Sequence, residues 1–530
     1  MRPRIFGTRK DWQLAEKFVA SRRDFLMAGG SLAILPLASQ IAPGAVRSRT
    51  AWASDPFTLG VASGEPSSSG MVLWTRLLID PVNIGGNPKG PIEVVWELSD
   101  DPSMKTILKS GKVLTTEALG HSVHVQVHGL ESNRWYWYRF HSGDASSPIG
   151  RTRTTPGSEQ MVDELRFAFA SCQHYESGLY TAYEHMVSEE LDLILHLGDY
   201  IYEGAPGRSS LRTHNSPEIV SLDDYRNRYG LYKSDEQLKA AHAYAPWLVV
   251  WDDHEFDNNC AGLISEELWV DPREFALRRA NAYQAYYENQ PLGVGSMPIG
   301  ADMKLYRDIA YGKLASFAML DTRQYRSDQP NGDGAKKLDG GAMHPRSTML
   351  GSQQEAWLFA HLQESEARWN VLGQQVMVGR VGRSSGESKL YSMDQWSGYD
   401  APRKRLLGHL KQMEQANTVV LTGDIHSNWA NELYEDFDKL DAAPVAVEFV
   451  GTSISSGGNG YAKSKQEDEL FRENPFIKFH NAERGYVSCR VTQGQWQTFY
   501  RTVEYVDRPG AELQTRAEFV VEHNRPQLIR

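Results

Sequence analysis

Cysteine is scarce in this chain: 530 residues hold three, Cys172, Cys260 and Cys489. So few thiols exclude a disulfide-stapled framework, and the fold must be held by ordinary burial. Long apolar runs are lacking as well. The one apolar stretch near the start, Phe25 to Ile41, is broken by Gly29, Gly30 and Pro36 and is too short for a permanent membrane anchor. Internal repeats, low-complexity tracts and coiled-coil heptads are also missing. Positive charge is in deficit, since 56 Lys and Arg face 67 Asp and Glu, for a formal charge of -11. Residues 1–53 carry nine of the basic and three of the acidic residues, so the remainder sets 47 against 64, or -17. A body that acidic offers no nucleic-acid-binding surface, which needs positive charge to displace counterions from phosphates. A phosphorylated ligand must be met instead by metal ions and a few arginines.

Residues 1–53 read as an export signal of the twin-arginine type. Ser21-Arg22-Arg23-Asp24-Phe25-Leu26 follows a long basic region and precedes the broken apolar stretch, and Ala51-Trp52-Ala53 offers a small-x-small cleavage site. The twin-arginine export machinery is the partner expected, and a periplasmic or secreted protein the outcome. Residues 55–156 hold short alternating segments, Met71 to Leu77, Pro91 to Leu98, His121 to Val127 and Trp135 to Phe140, separated by turn clusters. That spacing predicts an immunoglobulin or fibronectin-like β-sandwich, with the aromatics of Arg134 to His141 serving as core and tyrosine-corner residues. From residue 160 to 530 apolar strands alternate with helical stretches such as Pro272 to Asn289, which predicts an α/β domain.

Four strand-like runs in that second part end in residues able to bind metal. They are Leu165 to Cys172, Leu191 to Asp199, Trp247 to His254 and Thr418 to His426. Strand ends lie at the sheet edge where α/β proteins keep their ligand crevices, so Cys172, Asp199 with Tyr202, Asp253 with His254, and Asp424 with His426 are expected to converge on a two-metal hydrolytic centre. A strand-end carboxylate such as Asp199 can bridge two cations. A Tyr ligand points to Fe(III), because a phenol titrating near 10 needs a strongly Lewis-acidic ion to ionise it at neutral pH. The Cys172 thiolate points the same way, since hard alkaline-earth ions prefer oxygen. Asp252 and Asp253 face opposite sides if their strand persists, while Asp424 and His426 share one face. Asn258 offers an uncharged oxygen to a calcium ion or a phosphate, and His254 is placed to hold the phosphate or protonate a leaving group.

Together Ser171-Cys172-Gln173, Gly198-Asp199-Tyr200-Ile201-Tyr202-Glu203, Trp251 to Asn259, Leu320-Asp321-Thr322-Arg323, Gly373-Gln374-Gln375 and Gly423 to Asn428 resemble the PhoD-like alkaline phosphatases of the metallophosphoesterase superfamily. The resemblance covers essentially the whole chain after the signal. It implies a layered α/β sandwich of two central sheets flanked by helices. It also implies hydrolysis of phosphate mono- and diesters by attack of a metal-activated oxygen nucleophile. By the same resemblance iron is held by Cys172, Asp199 and Tyr202, and calcium by Asp199, Asp253, Asn258, Asp424 and His426 in some division. Arg279, with Arg278 beside it, matches the family's phosphate-contacting arginine; Arg323 is expected to pair with Asp321. Two other readings stand beside this one. Gly382-Arg383-Ser384-Ser385-Gly386 matches the nucleophile elbow of a serine esterase, although a convincing helix does not follow it. The other is a noncatalytic calcium-binding surface module built on the sandwich.

Overall fold

The computed structural model describes residues 51–82, 89–207, 211–267, 269–385, 388–413 and 417–530. The twin-arginine segment lies outside them. At the start of the described chain Trp52 is docked, its backbone N–H donating to Asp144 Oδ1 (3.0 Å) and its indole N–H to Ser142 O (2.8 Å).

Residues 61–153 build two β layers. Lys109–Thr115, Ile92–Ser99 and Trp135–Ser142 run antiparallel in one, with Gly150–Arg153 added beside Trp135–Ser142. Val61–Ser67, Gly70–Arg76 and Ser122–Val127 make the other. Alternation decides the facing, because successive strand side chains point to opposite sides. Tyr136, Tyr138 and Phe140 are thereby buried together with Val61, Leu73, Val94 and Val125. The Tyr136 hydroxyl accepts the N–H of Glu131 at 3.1 Å. The second layer does not stop at this core, since Gly64 bridges to Trp247 in the main sheet.

The rest is a mixed α/β fold. Glu164–Ala170, Leu193–His196 and Trp247–Val249 pair in parallel. Ala315–Met319, Trp369–Gln374, Thr418–Thr422 and Ala446–Val450 form a second parallel set, edged by antiparallel Asn428–Leu433. Ile477–Thr492 joins the two sets, pairing with Asn428–Leu433 through residues 477–481 and with Glu164–Ala170 through residues 487–492. Both sets contribute to one core, in which Phe167 meets Phe317 and Trp496 edge-to-face at centroid distances of 5.4 and 5.5 Å. Each such side chain, fully buried, contributes about 1.5–3 kcal/mol. The helix Pro272–Asn289 forms where its sequence predicts, with Asp271 capping the N–H of Arg273 (2.8 Å) and Pro272 in the first turn, where its missing N–H costs nothing.

Two local expectations are corrected. Strand Trp247–Val249 ends before the acidic pair, so Asp252 and Asp253 do not alternate across a sheet and both reach the same arginine, Arg323. Strand Thr418–Thr422 likewise ends before Asp424 and His426, which meet the site through left-handed backbone (φ 65° and 52°) rather than strand spacing.

Candidate metal centre

The strand ends do converge. Backbone bonds lock two of them together, Cys172 N–H to Gly198 O and Gln173 N–H to Asp199 O, both 3.0 Å. Gly198 has φ 111°, and a Cβ there would lie 2.4 Å from Asp252 Cβ, so only glycine lets these loops touch. Cys172 and Asp199 are left-handed too, at φ 59° and 56°. Each such non-glycine conformation costs about 1–3 kcal/mol and persists only where the surroundings over-determine it. The Glu255 carboxylate is part of that constraint, accepting the N–H groups of Asp199 (3.0 Å), Tyr200 (2.7 Å) and Asp252 (2.8 Å).

Three ligand groups share members. Donor atoms of Cys172, Asp199 and His426 lie within 4.8 Å of one another, as do those of Asp199, Asp253 and His254, and those of Asp252, Asp253 and Asp424. Asp199 and Asp253 each belong to two groups, which is the arrangement a bridging carboxylate requires. The Tyr202 hydroxyl lies 2.8 Å from Asp199 Oδ2 and 3.1 Å from His426 Nε2, which brings the phenol into the first group.

These residues fit cations. Asp199 Oδ1 is buried and has no hydrogen-bond partner, although an orphaned buried carboxylate oxygen is costly. Asp252, Asp253, Asp394 and Asp424 all surround one fully buried guanidinium, that of Arg323. It donates to Asp394 Oδ1 (2.8 Å), Asp424 Oδ1 (2.9 Å) and Asp252 Oδ1, and lies 3.6 Å from Asp253 Oδ2. Arg326 also meets Asp394 Oδ1 at 2.7 Å, yet two arginines do not neutralise four aspartates with Asp199 alongside. Burial and the surrounding carboxylates accordingly push Asp424 up to about 6. Burial and the Asp199 charge push Glu255 up to about 8. Burial followed by Asp199 also raises the Cys172 thiol and the Tyr202 phenol well above their ordinary values. Asp253 and Asp394 are the exceptions; burial opposes their charge, yet Arg323 holds both below the usual carboxylate range, helped by His254 at Asp253 and by Arg326 at Asp394. His254 is raised despite its burial by Glu203, Asp199 and Asp253, and its Nδ1 lies 2.7 Å from Glu203 Oε2.

Some assigned residues sit elsewhere. Arg279 is buried outside the ligand groups and donates to Ala301 O (2.8 Å), Gly262 O (2.6 Å) and Gln324 Oε1 (3.0 Å), tying two loops to its helix. Arg278 is held by Asp257 (2.8 Å) and Glu218 (2.8 Å). Asn258 borders the centre through its backbone N–H, which donates to Glu203 Oε1 at 3.0 Å, while its side chain bonds Glu266. Arg323 meets the centre's aspartates, and Asp321 only accepts its backbone N–H. Ser384 lies exposed on a hairpin, Arg383–Ser385 turning into Ser388–Ser392, with its hydroxyl donating to Glu473, so no helix follows to make a nucleophile elbow. Asp394 and Gln395 escaped the sequence reading. Gln395 Nε2 donates to Asp424 Oδ2 at 2.5 Å, yet both residues follow no apolar strand and carry no signal. Glu203 had one, standing directly after Tyr202.

The fold and the cluster define an α/β protein with a carboxylate-rich candidate metal centre that includes a cysteine and a tyrosine. Residues 167–500 match the model of the PhoD-like phosphatase family, and residues 42–156 match that of the PhoD-like phosphatase N-terminal domain. The chain is 49% identical over 516 residues to alkaline phosphatase D of Bacillus subtilis (strain 168), across 96% of this chain and 88% of that protein. A solved structure of PhoD superimposes with a TM-score of 0.89 at 50% identity, covering 91% of this chain and 93% of its own. The chain belongs to the PhoD-like phosphatase family and is a phosphoric ester hydrolase. That membership removes the noncatalytic calcium-module reading.

Proposed function

We propose that this chain is an exported, metal-dependent alkaline phosphatase that hydrolyses phosphate monoesters and diesters at the cluster around Asp199. Its architecture in this reading is the layered metallophosphoesterase sandwich preceded by an immunoglobulin-like domain. Fe(III) is held by Cys172, Asp199 and Tyr202, and calcium by Asp253, Asn258, Asp424 and His426 with Asp199 shared. The observation that carries the reading is the orphaned Asp199 Oδ1 inside an uncompensated set of carboxylates. Bound cations supply Lewis acidity toward the phosphoryl oxygens and make water a nucleophile near neutral pH.

The chain's own residues do the rest. Asp199, Asp253 and Asp424 bring the negative charge that fixes cations at the strand ends. Arg323 holds Asp252, Asp394 and Asp424 at fixed places without neutralising them. His254 is engaged through Nδ1 by Glu203, which leaves Nε2 to give its proton to the leaving oxygen. Export by the twin-arginine pathway follows from Arg22 and Arg23 and suits a protein that folds around its metals before it leaves the cell.

The test is metal analysis of the purified protein, paired with turnover of a nitrophenyl monoester and diester. The expected result is iron and calcium together and hydrolysis of both esters, with Asp199→Asn losing at least 90% of turnover, about 1.4 kcal/mol of barrier or more, while its circular dichroism stays native. Full activity after exhaustive chelation refutes the reading.

A further inference from the structure

Behind Cys172 and Tyr202 runs a segment that none of the ligand motifs includes, Thr452 to Gly460. Its backbone is stitched to the first strand end, Ile454 N–H to Ser171 O (3.0 Å) and Ser456 N–H to Cys172 O (3.2 Å). The Ser456 hydroxyl lies 2.7 Å from Tyr202 Oη and 2.7 Å from Cys172 O, and it accepts the N–H of His174 at 3.0 Å. The one hydroxyl proton serves either Cys172 O or Tyr202 Oη; because Cys172 O also receives the backbone N–H groups of Ser455 (3.4 Å) and Ser456 (3.2 Å), an ionised Tyr202 oxygen, the stronger acceptor, would take that proton.

The same segment carries a cation. Arg484 is 3% exposed and donates to Ser453 Oγ, Ser456 O and Ala482 O. Among the described residues it has no ion-pair partner, and its Nε has no hydrogen bond. Removing an unpaired charge from water costs several kcal/mol, a cost that negative charge nearby would offset. Burial lowers the Arg484 guanidinium to about 10, and the Cys172 thiol and the Tyr202 and Tyr461 phenols act against that shift. The backbone is shaped to seat it: Gly460 has φ 72°, and a Cβ there would lie 2.5 Å from Arg484 Nη2 and 1.9 Å from Ala482 O.

We propose that Ser456 and Arg484 are positioning residues for the ligand pair Cys172 and Tyr202, Ser456 donating a hydrogen bond to the ligating Tyr202 oxygen and Arg484 balancing the negative charge that thiolate and phenolate bring. The proposal rests on the reading of Cys172 and Tyr202 as metal ligands. It separates two electrostatic halves of the centre. On the carboxylate side negative charge is in excess and binds cations; behind the soft ligands a fixed cation limits how much electron density they pass forward.

The test reads the visible charge-transfer band of protein loaded with Fe(III), alongside iron content. Ser456→Ala removes the donor, so the phenolate electrons are held less tightly and the band moves to longer wavelength at unchanged iron content. Ser456→Thr keeps the hydroxyl and returns the wild-type band. Arg484→Met weakens iron affinity by about 10–100-fold, the range seen when groups supporting a ligand are lost, and Arg484→Lys recovers part of it. Should Arg484→Met fail to fold, the two serine variants decide. A Ser456→Ala band that does not move overturns the proposal alone, whatever its turnover. A wild-type protein that shows no band on iron loading overturns the ligand reading and this proposal with it.

Discussion

In the proposed metal centre cation binding and pH should be coupled, and the coupling can be worked from two carboxyls. Without cations Asp424 is carried from 3.8 to about 6 and Glu255 from 4.5 to about 8, by burial and by neighbouring carboxylates. At 1.36 kcal/mol per unit, keeping them ionised costs about 3 and about 5 kcal/mol respectively. The sign follows from proton counts. Between about pH 4 and 6 both carboxyls, and between pH 6 and 8 Glu255 alone, keep in the metal-free folded protein a proton that the unfolded chain has released, so its stability falls as pH rises, by about 1.4 kcal/mol per pH unit for each proton. A cation on Asp199 and Asp424 cancels the repulsion and lets the carboxyls ionise, so binding expels protons and strengthens with pH. Calcium added to chelator-stripped protein at pH 7 should release about one proton, and its affinity should rise about tenfold per pH unit in this window. Iron(III) should release about two more, from Cys172 and Tyr202, which burial keeps neutral until a metal arrives. Isothermal titration in two buffers of different ionisation enthalpy counts the protons, and Glu255→Gln should remove the component near pH 8. Calcium affinity that is flat from pH 6 to 8, with no proton release, would refute the reasoning.

Arg323→Met leaves Asp252, Asp253 and Asp424 without their shared buried cation and Asp394 with Arg326 alone, and should destabilise metal-free protein by about 3–5 kcal/mol, with saturating calcium restoring part of the loss; an unchanged melting temperature without metal argues against the network. Replacing Arg22 and Arg23 by Lys should leave active enzyme in the cytoplasmic fraction, and undiminished export rules out the twin-arginine assignment.

The order of strands and helices was legible because each carries a local cause. Trp135 to His141 alternates, and its Tyr136, Tyr138 and Phe140 are core. Asp271-Pro272 announces a helix start, and the helix begins there. Strand lengths near the centre were not legible, since Val250, Trp251, Leu197 and Ile201 are buried although they lie outside the strands. Apolar composition records burial, and burial continues past the last ladder bond wherever a loop is packed from both sides. The same ambiguity hid the link between the two parts of the chain, because the Gly64 bridge to Trp247 is a single close approach with no periodic signal.

At the centre, legibility followed the distance between a residue and the strand that delivers it. Asp199 and Cys172 follow their strands within three residues, and the structure gathers both. Asp394 and Gln395 reach Arg323 and Asp424 from an irregular segment, so proximity exists only in three dimensions. Arginines were the hardest to assign. Arg279 and Arg323 both stand among polar neighbours in the sequence, and only packing separates a guanidinium donating to Gly262 and Ala301 from one clasped by aspartates. Their different fates have one physical origin: a buried guanidinium goes where five N–H donors find acceptors. Backbone carbonyls supply them at the loops around Arg279, and carboxylates supply them at Arg323. Because carboxylates gathered in excess of Arg323 and Arg326 also attract cations, the residue that orders most of the aspartates is the one whose loss should couple stability to metal. At Arg279 the acceptors are neutral, apart from Asp302 at 3.7 Å, and no such coupling should arise.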